Sequence, residues 1–206
     1  MESIPERALS IELLNTRNVK NLAPFDSGDE ELNDFLKNDA LKEQQLLLNR
    51  THLCFYKDHI AGFIALAADS IRLDKDKLDL SQHISGCDYP AYPCILIARL
   101  AVDKRLHGRD IGSYLLSLAI GFALGGPLGC RYLSVDSKES AVKFYEKFGF
   151  RYLTKSKHRM YLNVMDIAQQ LEPDESPDPW AEDSKPSKVD FKQRSEIKID
   201  RSPKDL

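Results

Sequence analysis

The run CILIARLAV, residues 94–102, carries one charged side chain in nine positions. It is short for a helix and lacks the polar alternation of a half-solvated strand, so it reads as a strand covered on both faces. Covering both faces requires layers packed above and below a sheet, which disfavours a simple helical bundle or an isolated hairpin. Directly after it come the polar, basic residues 103–110, DKRLHGRD, and then Ile111, Leu115, Leu118 and Phe122 recur at helical spacing until GGP at 125–127 stops them. A buried strand therefore feeds through a short loop into a helix.

The remaining pattern alternates between the two periods. LSIELLN (9–15) reads as a strand. It leads through PFDSGDEELNDFL to a helix whose Leu32, Phe35 and Leu36 share a face, with Ser27 or Asp29 as its cap and acids in its first turn. THLCFY (51–56) and IAGFIALAADSI (60–71), parted by Lys57, Asp58 and His59, read as a hairpin. Residues 72–92 are polar and turn-rich, and CRYLSVD (130–136) is a further strand. SKESAVKFYEKF puts Ala141, Phe144, Tyr145 and Phe148 on one helical face and ends at Gly149, a natural C-cap. RYLTK and HRMYLNVMDI read as a last hairpin. This order predicts an α/β domain with a mixed sheet and no internal repeat.

A chain of 206 residues, 42% hydrophobic and 30% charged, suits one globular domain with a tail. The domain is expected over 1–171. Residues 172–206 hold ten acids and seven bases, so the body is formally neutral and any nucleic-acid contact needs a local patch. The tail is proline-punctuated and poor in large apolar residues, and it reads as a disordered extension or as a segment that docks through Trp180 and Phe191. The first residues, MESIPERALSIELL, lack the pattern of a leader, and no stretch approaches 18 uninterrupted apolar residues, so a cytoplasmic protein off the membrane is expected. The cysteines Cys54, Cys87, Cys94 and Cys130 form no CxxC pair and read as buried thiols, so no metal is expected.

Where a buried strand enters a helix, unpaired backbone N–H groups and the helix dipole favour an anion. Gly108 and Gly112 allow close approach of a ligand, and Arg105 and Arg109 add positive charge. On spacing alone the loop remains either a phosphate cradle or a plain turn. The absence of GxxxxGKS/T argues against a nucleotide triphosphatase, and no GxGxxG follows a strand.

With this context, His107-Gly108-Arg109-Asp110-Ile111-Gly112 resembles the (Gln/Arg)-x-x-Gly-x-(Gly/Ala) motif of the GNAT superfamily of N-acetyltransferases, with His107 in the Gln/Arg position and Asp110 in the first glycine position. AVKFYEKFGF (141–150) resembles the family's helix-strand signature. Together these landmarks imply a mixed, mostly antiparallel, splayed central sheet flanked by helices, over about residues 8–168. The resemblance implies acetyl-CoA as cosubstrate, held by Leu100, Ala101, Val102, His107, Gly108, Arg109, Asp110, Ile111, Gly112, Ser113 and Lys138, with Tyr145 as the catalytic residue facing the sulfur. Asp110 is expected to point away from the pyrophosphate and cap the helix.

Three finer features resemble the acetyltransferase toxins of toxin-antitoxin modules. These are FDSGDEELNDFL, with Ser27 where cysteine is common; PCILIARLAVDKRLHG, with Ala98 for the usual glycine; and RMYLNVMDI, similar to their final strand. The resemblance implies an N-acetyltransferase that moves the acetyl group of acetyl-CoA onto a primary amine. Aminoacyl-tRNA as that amine is one alternative, with an antitoxin protein as a partner and homodimers among the relatives, and a non-catalytic CoA-binding or interaction module is the other.

The chemistry follows from the residue types. An amine attacking a thioester must be neutral, its oxyanion must be stabilised and the leaving thiolate must gain a proton. A tyrosine hydroxyl, with a reference pKa of about 10, can supply that proton. Backbone N–H groups near Leu100 and Val102 could face the acetyl carbonyl if the sheet splays there. An α-amino group with pKa near 7.7 is roughly one-third neutral at pH 7.4, whereas a lysine is neutral at about one part in a thousand. An aminoacyl acceptor thus needs no strong base, and none of His107, His52 and Asp103 is assigned that role. Lys138, Lys143, Lys147, Arg151, Lys155, Lys157 and Arg159 cluster in sequence, as a tRNA-facing patch or a solvated face.

Overall fold

Lys57 and Asp58 sit at φ 49° and 62°, so both turn residues of the first hairpin are left-handed. A two-residue loop with two positive φ angles matches the twist of the strands it joins, here β2 (Arg50–Tyr56) and β3 (His59–Arg72). The computed structural model describes residues 2–72, 89–153 and 158–171. The expected tail with Trp180 and Phe191, most of the polar segment 72–92, and Cys87, Lys155 and Lys157 lie outside the described residues.

β1 (Leu9–Leu13) and β4 (Ala91–Val102) flank this hairpin, and β5 (Tyr132–Asp136), β6 (Arg151–Tyr152) and β7 (Arg159–Asn163) complete a sheet of order β1-β2-β3-β4-β5-β7-β6. Every pairing is antiparallel except β4 with β5. The mixed, mostly antiparallel sheet is the one the sequence predicts.

Alternation along β3 sends Phe63 and Ala65 to one side and Ile64 and Leu66 to the other, and all four are buried. The helices on the two faces explain this. α1 (Glu30–Asp34) and α2 (Ala40–Gln45), joined by one π turn over Phe35–Asp39, cover the Phe63 side with Phe35 and Leu36. Phe63 meets Phe25 edge-on at 5.7 Å and stacks on Phe35 at 6.0 Å. α3 (Ile111–Gly125) covers the other side with Ile111, Leu115 and Leu116. Burial on both faces is the reason 94–102 carries so little polarity.

Asp29, one of the two expected caps, caps α1: its Oδ1 accepts from the N–H groups of Glu31 (3.1 Å) and Leu32 (3.3 Å). Ser27 shapes the preceding turn instead, its Oγ donating to Asn33 Oδ1 at 2.9 Å. The π turn has no signature in the apolar spacing. α4 (Val142–Glu146) is shorter than the expected helix, with a 3₁₀ turn over Glu139–Ala141 before it. The turn that follows it closes at the predicted Gly149, φ 86°, two residues past the helix's own C-cap at Lys147.

The last strand is a correction. HRMYLNVMDI reads as strand throughout, yet β7 stops at Asn163 and α5 (Val164–Leu171) follows. Asn163 Oδ1 accepts from Met165 N–H at 3.2 Å, while its Nδ2 donates to Asp166 Oδ1 at 2.7 Å. A side chain that satisfies the first turn's donors favours a helix start over a continued ladder.

β4 and β5 pair only through Cys94–Ile97 and Tyr132–Val135, although β4 continues to Val102. On the β3 side, Ala65 faces Arg99 while Leu66 faces Ile97, so Ala98 is an extra residue on β4. Such a bulge bends its strand. The sheet therefore opens beyond Ile97.

Gly62, on β3 opposite Val102 and so across β4 from this opening, leaves no room for a side chain: an added Cβ would sit 2.7 Å from the Ala101 carbonyl oxygen and 3.0 Å from Leu115 Cδ1. Because the first clash is with backbone, Gly62→Ala is expected to destabilise the fold by about 1–3 kcal/mol, measured as a lowered midpoint in urea unfolding.

Candidate functional site

Asp103, at the end of β4, is fully buried and organises the loop that follows. Its Oδ1 accepts from the Arg105 backbone N–H (3.0 Å) and Nε (2.7 Å), and its Oδ2 from Arg105 Nη2 (2.7 Å) and Asp26 N–H (3.3 Å). Burial pushes the Asp103 carboxyl up. The Arg105 guanidinium and these N–H groups outweigh it and hold the acid below the usual carboxylate range. Arg105 is thus committed to Asp103 and does not line the large cavity described below, contrary to its expected part in phosphate binding.

Asp103 N–H donates to Ala61 O of β3 at 2.8 Å, so by strand alternation the polar groups of Leu100 and Val102 face away from β3. That direction is the gap β5 has left. His107 Nε2 lies 2.9 Å from Val102 O, a geometry in which the ring donates to the exposed carbonyl. The N–H groups of Leu100 and Val102 are left facing the opening.

The loop turns on two left-handed residues, Gly108 at φ 71° and Asp110 at φ 64°. Among the described residues no atom lies within 4 Å of a Cβ built on Gly108, so none of them blocks the approach there. Asp110 occupies the position before α3, but its exposed side chain makes no capping hydrogen bond, a correction to the expected cap. The residue accommodates a left-handed backbone, which aspartate tolerates better than most. Arg109 is tied by its Nε to Glu2 O at 3.2 Å and lies over the Tyr56 ring at 5.7 Å.

A cavity of about 650 Å³ is lined by Leu100, Ala101, Val102, His107, Gly108, Arg109, Asp110, Ile111, Gly112 and Ser113, together with Phe144 and Tyr145. Ten of the eleven residues expected at the cosubstrate therefore share one cavity with Tyr145. Lys138 stands apart. It lines a second cavity of about 200 Å³ in the opening between β4 and β5, and its Nζ meets Asp29 Oδ2 at 2.7 Å and Glu31 Oε2 at 2.9 Å.

Tyr145 lines both cavities from α4. It is 5% exposed, between the rings of Phe144 (5.1 Å) and Phe150 (5.3 Å). Its carbonyl accepts from the N–H groups of Phe148 (3.0 Å) and Phe150 (3.2 Å), so the turn through Gly149 anchors its backbone. Burial raises the phenol well above the ordinary tyrosine range and keeps it protonated.

Of the three bases considered, Asp103 is paired with Arg105 and His107 is bonded to Val102 O. His52 lies against Phe122 in a different cavity, with burial and then Arg50 lowering its pKa. Lys143, Lys147 and Arg151 are exposed, whereas Arg159 is paired with Asp69. Among the described residues no three His, Cys, Asp or Glu side chains converge as metal ligands would. Buried Cys54 and Cys94 have their thiols pushed up to about 12 by burial. Asp29 and Arg99, both at the second cavity, carried no sequence signal for the site beyond the capping position of Asp29.

The sequence model of the acetyltransferase (GNAT) family matches residues 13–150. The chain belongs to that family. A tRNA-acetylating toxin from Mycobacterium tuberculosis (strain ATCC 25618 / H37Rv) is 31% identical over 133 residues, 63% of this chain and 78% of the toxin. Among solved structures, AtaT complexed with acetyl-methionyl-tRNAfMet superposes with a TM-score of 0.71 at 22% identity, over 80% of this chain and 99% of AtaT. A tyrosine-to-phenylalanine mutant of KacT gives 0.70 at 22% identity, over 79% and 99%. At these identities the structures establish a shared fold, and this GNAT chain carries the splayed sheet expected of it.

Replacing Asp110 by glycine removes both a side chain from a left-handed position and a negative charge beside the loop. Asp110→Gly is expected to stabilise the fold by up to about 1 kcal/mol and to tighten acetyl-CoA by no more than about tenfold. Thermal unfolding and calorimetric titration check the two halves.

Proposed function

We propose that this GNAT acetyltransferase moves the acetyl group of acetyl-CoA onto the α-amino group of aminoacyl-tRNA, with Tyr145 as general acid. The observation that carries this reading is the junction of two cavities at Tyr145, beside the edge of β4 that β5 leaves beyond Ile97. The larger cavity, with its glycine loop at the start of α3, suits the phosphates and pantetheine of acetyl-CoA. The smaller opens from the splay and suits the acceptor amine.

In this mechanism the amine nitrogen forms a bond to the thioester carbonyl carbon. The developing oxyanion is met by the N–H groups of Leu100 and Val102. As the C–S bond breaks, the Tyr145 hydroxyl gives its proton to the thiolate, and the nitrogen releases its own to water. The raised pKa of the buried phenol suits a group that must arrive protonated. No protein base need sit at the junction, because an α-amino group is substantially neutral near pH 7.7.

The acceptor is suggested by the 31% identity to a tRNA-acetylating toxin. An antitoxin partner and a homodimer belong to the same reading, as does a cytoplasmic location where charged tRNA is found. No helix among the described residues is long and apolar enough to cross a membrane. Catalysis is assigned to the body, 1–171.

Tyr145→Phe is expected to lower kcat about 10²- to 10⁴-fold with little change in the KM for acetyl-CoA, in an assay following thiol release and acetylation of bulk aminoacyl-tRNA. Unchanged kcat overturns the role of Tyr145, and absence of transfer to aminoacyl-tRNA overturns the acceptor. The pH profile of kcat/KM should rise through the acceptor's pKa, about 7.7 for an α-amine. It should then stay level to about pH 10, because the Tyr145 phenol remains protonated there.

A further inference from the structure

Six residues line both cavities where they meet beside β4, Asp29, Leu32, Leu100, Ser140, Ala141 and Tyr145, and the two of them with an ionisable side chain are Tyr145 from α4 and Asp29 from the N-cap of α1. The two oxygens of Asp29 have separate tasks. Oδ1 holds the N–H groups of Glu31 and Leu32, whereas the contact of Oδ2 among the described residues is a charged one, Lys138 Nζ at 2.7 Å. These contacts hold the Asp29 carboxyl below its ordinary range, the Lys138 hydrogen bond contributing most against the opposing pull of burial.

The wall of the smaller cavity has three carboxylates, Asp29, Glu31 and Asp136, against two cations, Arg99 and Lys138. The two cations are held differently. Arg99 is tied down by Nη1 donating to Ala98 O at 2.8 Å and by its plane over the Phe35 ring at 5.3 Å. Lys138 has a half-exposed side chain, with contacts to Asp29 and Glu31 only through its terminal ammonium. It can swing out to solvent without disturbing the core.

We propose that Asp29 Oδ2 is the positioning group for the acceptor's ammonium, and that Lys138 occupies it until the acceptor arrives. The exchange replaces one ammonium by another, so the carboxylate is never left unpaired and the cavity's charge is conserved. A neutral or anionic acceptor has nothing to offer Asp29 in return. Held there, the acceptor nitrogen waits beside Tyr145, loses its proton to water and attacks. This rests on the amine-acetylating mechanism above and reassigns Lys138 from the cosubstrate to the acceptor side.

The test uses the full chain with acetyl-CoA and two acceptors, bulk aminoacyl-tRNA and glycinamide, an α-amine without phosphates. Asp29→Asn keeps an oxygen for the cap and removes the charge, and it is expected to raise the KM of either acceptor about tenfold or more. Its kcat and its KM for acetyl-CoA should stay within about twofold. Asp29→Glu should recover part of the loss. Lys138→Met, which unmasks Asp29, should instead lower the KM for glycinamide about threefold and leave acetyl-CoA unaffected. Both variants break the same ion pair, so a merely structural tether would shift both in one direction, and that result overturns the proposal. So does a rise in the KM for acetyl-CoA in Lys138→Met. Turnover of glycinamide alone would refute the tRNA acceptor while Asp29 is still judged on that amine. Transfer to aminoacyl-tRNA that depends on Tyr145 but ignores Asp29→Asn refutes this proposal and leaves the tRNA reading standing, whereas thiol release with neither acceptor refutes both.

Discussion

The parallel pairing of β4 with β5 lasts four residues, Cys94–Ile97 against Tyr132–Val135, and the rest of the site depends on where it stops. A parallel ladder that continued would consume the outward N–H groups of β4 and close the opening. The bulge at Ala98 bends β4 while its other edge stays paired with β3 to Val102. One strand is therefore paired along one side to Val102, while among the described residues its other side has no strand partner beyond Ile97. Donors kept in place by a sheet rather than by a loop need little reorganisation when a charge develops in front of them.

The groups around that edge are separated by environment. Tyr145 is surrounded by aromatic rings and stays protonated, whereas Asp103, although fully buried, is kept ionised by Arg105 and by two backbone N–H groups. Burial pulls both acids in the same direction: it takes a phenol that is already protonated near neutral pH further from ionisation, whereas hydrogen bonds to Asp103 outweigh burial and make that carboxylate a fixed brace for the loop. Asp29, partly open to solvent, is again held ionised, here by the half-exposed Lys138 ammonium.

Much of the fold was legible because burial leaves a periodic trace. The run 94–102 announced a two-faced strand, Leu32, Phe35 and Leu36 a helix, and Gly149 its neighbour's end. Polar side chains that act on the backbone were harder to read. Asn163 reads as one more strand residue until its amide is seen bonding Met165 and Asp166. Arg105 reads as a phosphate ligand until Asp103 is seen to be buried beside it. In each case the deciding partner is a short-range polar contact that hydrophobic spacing does not encode.

By itself the sequence determined the order of elements, the family resemblance and the loop between β4 and α3, since these follow from local periodicity and from motifs contiguous in the chain. Only the tertiary structure decided that Asp29 and Lys138, 109 positions apart, form one ion pair beside Tyr145. It alone also divided the site into two cavities with Lys138 on the smaller one. The physical reason is that charge pairing depends on distance in space, and that distance is set by how far two strands stay bonded before they part.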